Sequence, residues 1–211
     1  MGRAGLCTIA FKQKPLEEVL AVAADTGASA VEVWGQPPHV SYPVDRSSLE
    51  TSRAAAESHG LAIAAFGSYF QPGKPKALEG VTLDIENQVA AAEALGAGLI
   101  RIWPGSVEYE DSDEAQRASV YDEIRAFADR AGTAGIGVVL ERHIGSLTHG
   151  WDAPARVLDE IGHPNVSLNY QIPYPVPVHE YGERSVDDYS QLLPRSRHAH
   201  IQTYLETPDG S

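Results

Sequence analysis

The sequence predicts an α/β protein built on a parallel barrel of the (β/α)8 kind, and three observations carry that expectation. Seven short apolar runs alternate with six longer segments whose apolar residues recur at helical spacing. Several helical segments close on a glycine-containing turn just before the next apolar run: DTGA (25–28), SHG (58–60), LGAG (95–98) and TAGIG (133–137). Polar and aromatic residues gather at the C-terminal ends of many different runs: Trp34, Tyr69, Arg101, Trp103, Glu141, His143, Gln171 and His200. The alternation argues for an all-parallel sheet with helices outside it. A doubly wound open sheet would also satisfy it, but the first run is followed by KQKP (12–15) and not by a glycine-rich phosphate loop. Chemistry supplied by nearly every strand end is what a barrel mouth gives.

The elements follow in order. LCTIAF (6–11) reads as the first strand, and PLEEVLAVAADTGA (15–28) as a helix opened by proline and closed near Gly27. AVEVWG (30–35) is strand-like, 45–60 is helical and stops at Gly60, and LAIAAFGSYF (61–70) is strand-like again. The segment 77–97 reads mainly as helix, GLIRIW (98–103) as strand, and 112–135 as a long helix capped by Ser112 or Asp113. IGVVLERH (136–143) is the fifth strand, 151–162 a helix, NVSLNYQI (165–172) the sixth strand, 185–195 a short helix, and HAHIQTY (198–204) the seventh strand.

A chain of 211 residues with 43% hydrophobic residues can bury a full core, and one domain over 1–211 is expected. Its formal net charge of −13 repels phosphate backbones, so no nucleic-acid partner is expected. No apolar stretch approaches the roughly 18 residues of a membrane span, and MGRAGLCTIAF is too short for a signal peptide. The one cysteine, Cys7, excludes an internal disulfide and reads as a small buried filler. These features predict a cytoplasmic protein whose partner is a small molecule, without a membrane.

Three strand ends carry polar residues two apart, which places them on one face. They are Glu141 with His143, Asn169 with Gln171, and His198 with His200 and Gln202. A carboxylate, an imidazole and amide oxygens converging from adjacent strands suit a hard divalent ion, Mn²⁺, Mg²⁺ or Co²⁺. His200 is a candidate ligand, and Gln171 is either a ligand or a hydrogen-bond partner for substrate. Glu141 and His143 are the expected catalytic pair, with His143 moving a proton. His198, one pleat earlier than His200, is expected to pack or to support a ligand. Trp34, Tyr69, Arg101, Trp103, Asn169 and Gln202 are candidates for binding substrate, although Trp34 and Trp103 would serve equally well as plugs of the barrel. His59 precedes Gly60 at a helix end, where a cation suits the helix dipole and no function is required.

The runs GASAVEVWG, VVLERHIGSLT, HPNVSLNYQI and HAHIQTY, in this order, resemble the xylose-isomerase-like TIM barrels, the sugar phosphate isomerase/epimerase group among them. The resemblance covers essentially the whole chain. The run at Glu141, His143, Leu147 and Thr148 is most similar to the dehydroshikimate dehydratases of that family. The resemblance implies one divalent ion bound by residues of strands five to eight. Glu141 stands at the first ligand position and His200 at the third. Gln171 falls where the family usually has aspartate, and the fourth position, a glutamate on strand eight, has no counterpart before Ser211. A (β/α)8 barrel with its last β/α unit missing is therefore expected. Such an arc keeps two unpaired edges, and either a destabilised chain or association with a second copy through the gap is the corresponding expectation.

The expected activity is metal-dependent isomerisation or epimerisation of a sugar or sugar-like polyol in carbohydrate metabolism, begun by taking a proton beside a carbonyl. Two alternatives stand beside it: a dehydratase of the dehydroshikimate kind, and a non-catalytic barrel that binds a small polyol. A DNA-repair nuclease of the same fold would need more metal ligands and a surface that tolerates a polyanion.

Overall fold

The computed structural model describes residues 4–74, 77–78, 81–173 and 182–201. Nine strands and six α-helices are found among them. The strands are β1 (Gly5–Cys7), β2 (Ala30–Trp34), β3 (Ala62–Gly67), β4 (Ala77–Leu78), β5 (Val81–Thr82), β6 (Leu99–Ile102), β7 (Gly137–Glu141), β8 (Val166–Tyr170) and β9 (Ser196–Ala199). The helices are α1 (Leu16–Asp25), α2 (Arg46–Ser58), α3 (Ile85–Leu95), α4 (Glu114–Thr133), α5 (Ala153–Ile161) and α6 (Glu183–Leu192). Seven strands form one parallel sheet in the order β1-β2-β3-β6-β7-β8-β9, and β4 pairs with β5 as a separate antiparallel hairpin.

Three expectations about elements need correction, one of them the seventh strand: expected over 198–204, it is β9 over Ser196–Ala199, and 202–204 lie outside the described residues. The first apolar run is strand only over Gly5–Cys7 and then turns into a 3-10 helix over Thr8–Phe11. Thr8 causes the change locally: its hydroxyl accepts the Trp34 backbone N–H at 2.8 Å and meets His39 Nδ1 at 2.9 Å, bonds that draw the chain off the sheet. The segment 77–97 is not mainly one helix. The β4–β5 hairpin occupies its start, and α3 begins after Asp84, whose carboxylate accepts the Asn87 N–H at 2.7 Å. The long helix α4 opens as expected at Asp113, in a reciprocal capping box with Gln116.

Strand parity divides the side chains into two sets. Val31, Val33, Ile100, Ile102, Val138, Leu140 and Leu168 join the main core with the buried faces of the helices. Each such fully buried aliphatic side chain contributes roughly 1.5–3 kcal/mol. The opposite face of the strands points into the arc. It carries a small separate cluster of Ala65, Leu99 and Val139. The same face carries Glu32, Arg101, Glu141 and Asn169, all buried. Register places Glu141 beside Asn169, and Asn169 beside His198. Layered side chains inside a parallel barrel are the expected filling, but here part of the filling is charged.

Arg142 is among the largest fully buried side chains and lies just past β7. Its guanidinium pairs with Asp188 of α6 at 2.7 and 2.8 Å and donates to the carbonyls of Gly150 and Gln171. This fixes the loop after β7, which carries His143, against α6.

Candidate active site at the C-terminal ends of the strands

Glu32 is the centre of the site. It lies mid-strand on β2, where all five residues are buried. A buried carboxylate must be paired, and Glu32 is paired on both oxygens. Its Oε1 accepts Arg101 Nε at 2.8 Å, while its Oε2 lies 2.8 Å from both His198 Nε2 and His200 Nε2. Arg101 also donates to Glu141 Oε2, which accepts Trp103 Nε1 as well. The other oxygen of Glu141 lies 3.6 Å from His200 Nδ1. Asn169 Nδ2 stands 3.1 Å from that same nitrogen, and Asn169 Oδ1 is buried without a hydrogen-bond partner.

Gly67 makes this network possible. A methyl group built on it would lie 2.7 Å from Arg101 Nη2 and 2.9 Å from Glu32 Oε1. Only glycine lets the guanidinium pass across β3 to reach Glu32.

The charges set one another's protonation. Burial pushes the Glu32 carboxyl up, but Arg101 and the two imidazoles outweigh it and hold the group well below the usual carboxylate range. Glu141 is likewise lowered: burial opposes ionisation, and Arg101, His200 and Trp103 together win. Burial would lower His200, but its bonds with Glu141 and Glu32 raise it to about 9. Burial first, and then the Glu32 charge, push the Cys7 thiol up to about 12, which agrees with a filler and not a nucleophile.

An aromatic row lines the mouth above these charges. Trp34 Nε1 donates to the Tyr69 hydroxyl at 2.8 Å. Tyr69 meets Trp103 edge-on at 5.2 Å, and Trp103 lies 5.0 Å from the His143 ring at a 31° tilt. The structure thus brings together Trp34, Tyr69, Trp103 and His143 from four different strand ends. His143 is partly exposed, with Nδ1 2.7 Å from the Ile144 carbonyl. A carbonyl only accepts, so Nδ1 carries the proton and Nε2 holds the lone pair.

The remaining candidates are placed differently. Gln171 Nε2 donates to the Arg142 carbonyl, and its Oε1 is buried without a hydrogen-bond partner. Arg101, a candidate for binding substrate, has its guanidinium shared between two carboxylates. Asn169 lies beneath the mouth against His200. Gln202 lies outside the described residues. β9 ends at Ala199, so His200 follows the strand, with its N–H on the Tyr170 carbonyl at 2.8 Å.

Sequence reasoning passed over Glu32 and gave His198 only a supporting place. The signal for Glu32 was an acid flanked by valines in AVEVW, at a position that a parallel sheet buries on both faces. Donor atoms of Glu32, His198 and His200 all lie within 4.8 Å of one another. One carboxylate and two imidazoles form a donor set that fits a divalent ion with open positions.

The family model described as xylose isomerase-like TIM barrel matches residues 20–208. The chain belongs to that family. It is 23% identical over 199 residues to a 3-dehydroshikimate dehydratase from Bacillus anthracis, an alignment covering 93% of this chain and 70% of that protein. Among solved structures, a probable 3-DHS dehydratase involved in petrobactin synthesis in B. anthracis superposes with a TM-score of 0.75 at 22% identity, covering 99% of this chain and 75% of the other. A xylose isomerase-like TIM barrel protein from Mycobacterium smegmatis in complex with magnesium gives a TM-score of 0.69 at 19% identity, covering 96% and 75%. At these identities the superpositions establish the fold. No helix among the described residues is long and apolar enough to cross a membrane.

Proposed function

We propose that this protein is a divalent-metal-dependent dehydratase that removes water from a cyclic polyhydroxy ketone of the 3-dehydroshikimate kind. The observation that carries the reading is the Glu32–His198–His200 donor cluster, together with His143 just past the end of β7, its Nδ1 on the Ile144 carbonyl. The similarity to a 3-dehydroshikimate dehydratase supports the choice of substrate class. A divalent ion bound there would supply Lewis-acid polarisation of the substrate carbonyl.

The chain's own residues do the rest. The row of Trp34, Tyr69 and Trp103 offers aromatic faces and edges for the carbon skeleton and keeps water from it. His143 Nε2 takes the proton from the carbon beside the carbonyl. The electron pair of that C–H bond becomes the new C=C bond as the hydroxyl on the next carbon leaves. The imidazolium returns the same proton to that hydroxyl, and water departs. Atoms and charge balance with one residue serving as base and then as acid. The hydrogen bond from Nδ1 to the Ile144 carbonyl holds the ring in the required tautomer.

Proton removal without loss of hydroxyl would instead isomerise or epimerise a sugar. The aromatic row, which suits the face of a sugar ring, is the feature that favours this second reading. One experiment separates the two. Incubated with Mn²⁺ and 3-dehydroshikimate, the protein should produce the ultraviolet absorbance of an extended conjugated product, and EDTA should abolish it. Isomerisation of sugars, followed by proton NMR, with no change in 3-dehydroshikimate would replace the dehydratase reading with the second.

A further inference from the structure

The run ERHIGSLT, from Glu141 to Thr148, closes on two hydroxyls that the proposed reaction leaves unused. Both are buried, Ser146 at 2% exposure and Thr148 at 0%. β7 ends at Glu141, and the chain turns at Gly145, whose φ of 70° lies in the left-handed region that glycine favours. The turn brings both hydroxyls back against the strand end. Ser146 Oγ donates to the His143 carbonyl at 2.6 Å, and Thr148 Oγ1 donates to the Glu141 carbonyl at 2.6 Å. The two oxygens lie 3.1 Å apart. Each member of the expected catalytic pair therefore has its backbone gripped by one hydroxyl.

Closing the turn does not require both. Ser146 reaches three residues back, and the His149 N–H meets the Ser146 carbonyl at 3.1 Å. These are the local bonds of an ordinary turn. Thr148 reaches seven residues back, past the turn, to the last residue of β7. Between the two hydroxyls, Leu147 is buried in the main core, and its N–H donates to the Pro104 carbonyl at 2.9 Å. Pro104 follows Trp103, whose ring lies 5.0 Å from that of His143. The segment thus ties the backbone of His143 both to its own strand and to the chain just past β6.

The tautomer of His143 depends on that backbone. Its Nδ1 donates to the Ile144 carbonyl at 2.7 Å, one peptide beyond the carbonyl that Ser146 holds. The Ile144 side chain is 48% exposed, so burial gives this peptide little hold of its own. Once the loop loosens, the Ile144 carbonyl leaves Nδ1, and the proton is free to occupy either ring nitrogen.

We infer that Ser146 and Thr148 are positioning residues for His143, holding its ring beside Trp103 in the tautomer that leaves Nε2 free. The inference rests on the reading of His143 as the base.

The test compares the wild type with Thr148→Val, which keeps the shape and removes the hydroxyl, and with Thr148→Ser, which keeps the hydroxyl. The ring nitrogens of His143, assigned by their loss in His143→Gln, are followed by nitrogen NMR without metal or substrate, at a pH where the ring is neutral. Wild type and Thr148→Ser should show one tautomer, protonated on Nδ1, and Thr148→Val should show both. With Mn²⁺ and 3-dehydroshikimate, Thr148→Val should lose about 10-fold in kcat, the worth of one hydrogen bond, with KM nearly unchanged, and Thr148→Ser should recover it. Thermal melts check folding, and Ser146→Ala replaces Thr148→Val if that variant does not fold. A tautomer unchanged in the folded variant overturns the inference, as does a wild type that already shows both. Loss of folding in both variants makes the hydroxyls structural and also overturns it. A tautomer that responds as expected, in a protein that does not turn over 3-dehydroshikimate, leaves the positioning role standing and overturns the dehydratase reading.

Discussion

Arg101 holds two buried carboxylates apart and neutralises one of their charges. Removing one member of such a group leaves an uncompensated buried charge, which typically destabilises by about 3–5 kcal/mol. Arg101→Met, close in volume and without charge, is expected to lower stability by that amount in urea melts of the metal-free protein. Unchanged stability would mean that Glu32 and Glu141 find water or protons more easily than their burial implies. At this scale the sequence was partly legible. Glu141, Arg101 and His200 stood out because each lies near the end of an apolar run. Glu32 did not, because AVEVW reads as a plain strand until the two-sided burial of β2 is known. The pairing of each oxygen depends on side-chain reach across the arc, which no local spacing encodes.

The interior of β3 is shaped by what crosses it. Gly67→Ala would drive a methyl group against Arg101 Nη2, and Arg101 cannot give way because carboxylates hold it from two strands. Overpacking of this kind destabilises by about 1–3 kcal/mol. The effect should shrink when Arg101→Met is also present, since residues that share a contact are not additive. Additive losses in thermal or chemical melts would show that the methyl group strikes something else. The elements themselves were largely legible: all seven parallel strands and the six helices fall on segments of the expected periodicity. The misreadings have local causes. Thr8 spends its hydroxyl on the Trp34 N–H and the His39 ring, which ends β1 after Cys7. Asp84 is a helix cap inside an apolar-periodic segment, so α3 starts there and a hairpin precedes it.

Across the whole molecule, the arc brings β2 and the end of β9 together. Glu32 bonds to histidines 166 and 168 positions away. The alternation of strands and helices makes this arc legible, and the ring of polar strand ends makes its mouth legible. The depth of the charged layer was not, because it depends on which tier of the interior each inward residue occupies. In the proposed reading, chemistry at the mouth and charge beneath it belong together: His143 would take a proton beside a carbonyl, with a cation held by the strand ends. The most direct measurement uses a polyhydroxy ketone substrate deuterated at the carbon beside its carbonyl, with Mn²⁺ present. The account predicts slower turnover than with the protonated substrate, and loss of both the turnover and the isotope effect in His143→Gln with Mn²⁺ still bound. Equal rates for the two isotopologues, with full turnover by His143→Gln, would contradict it.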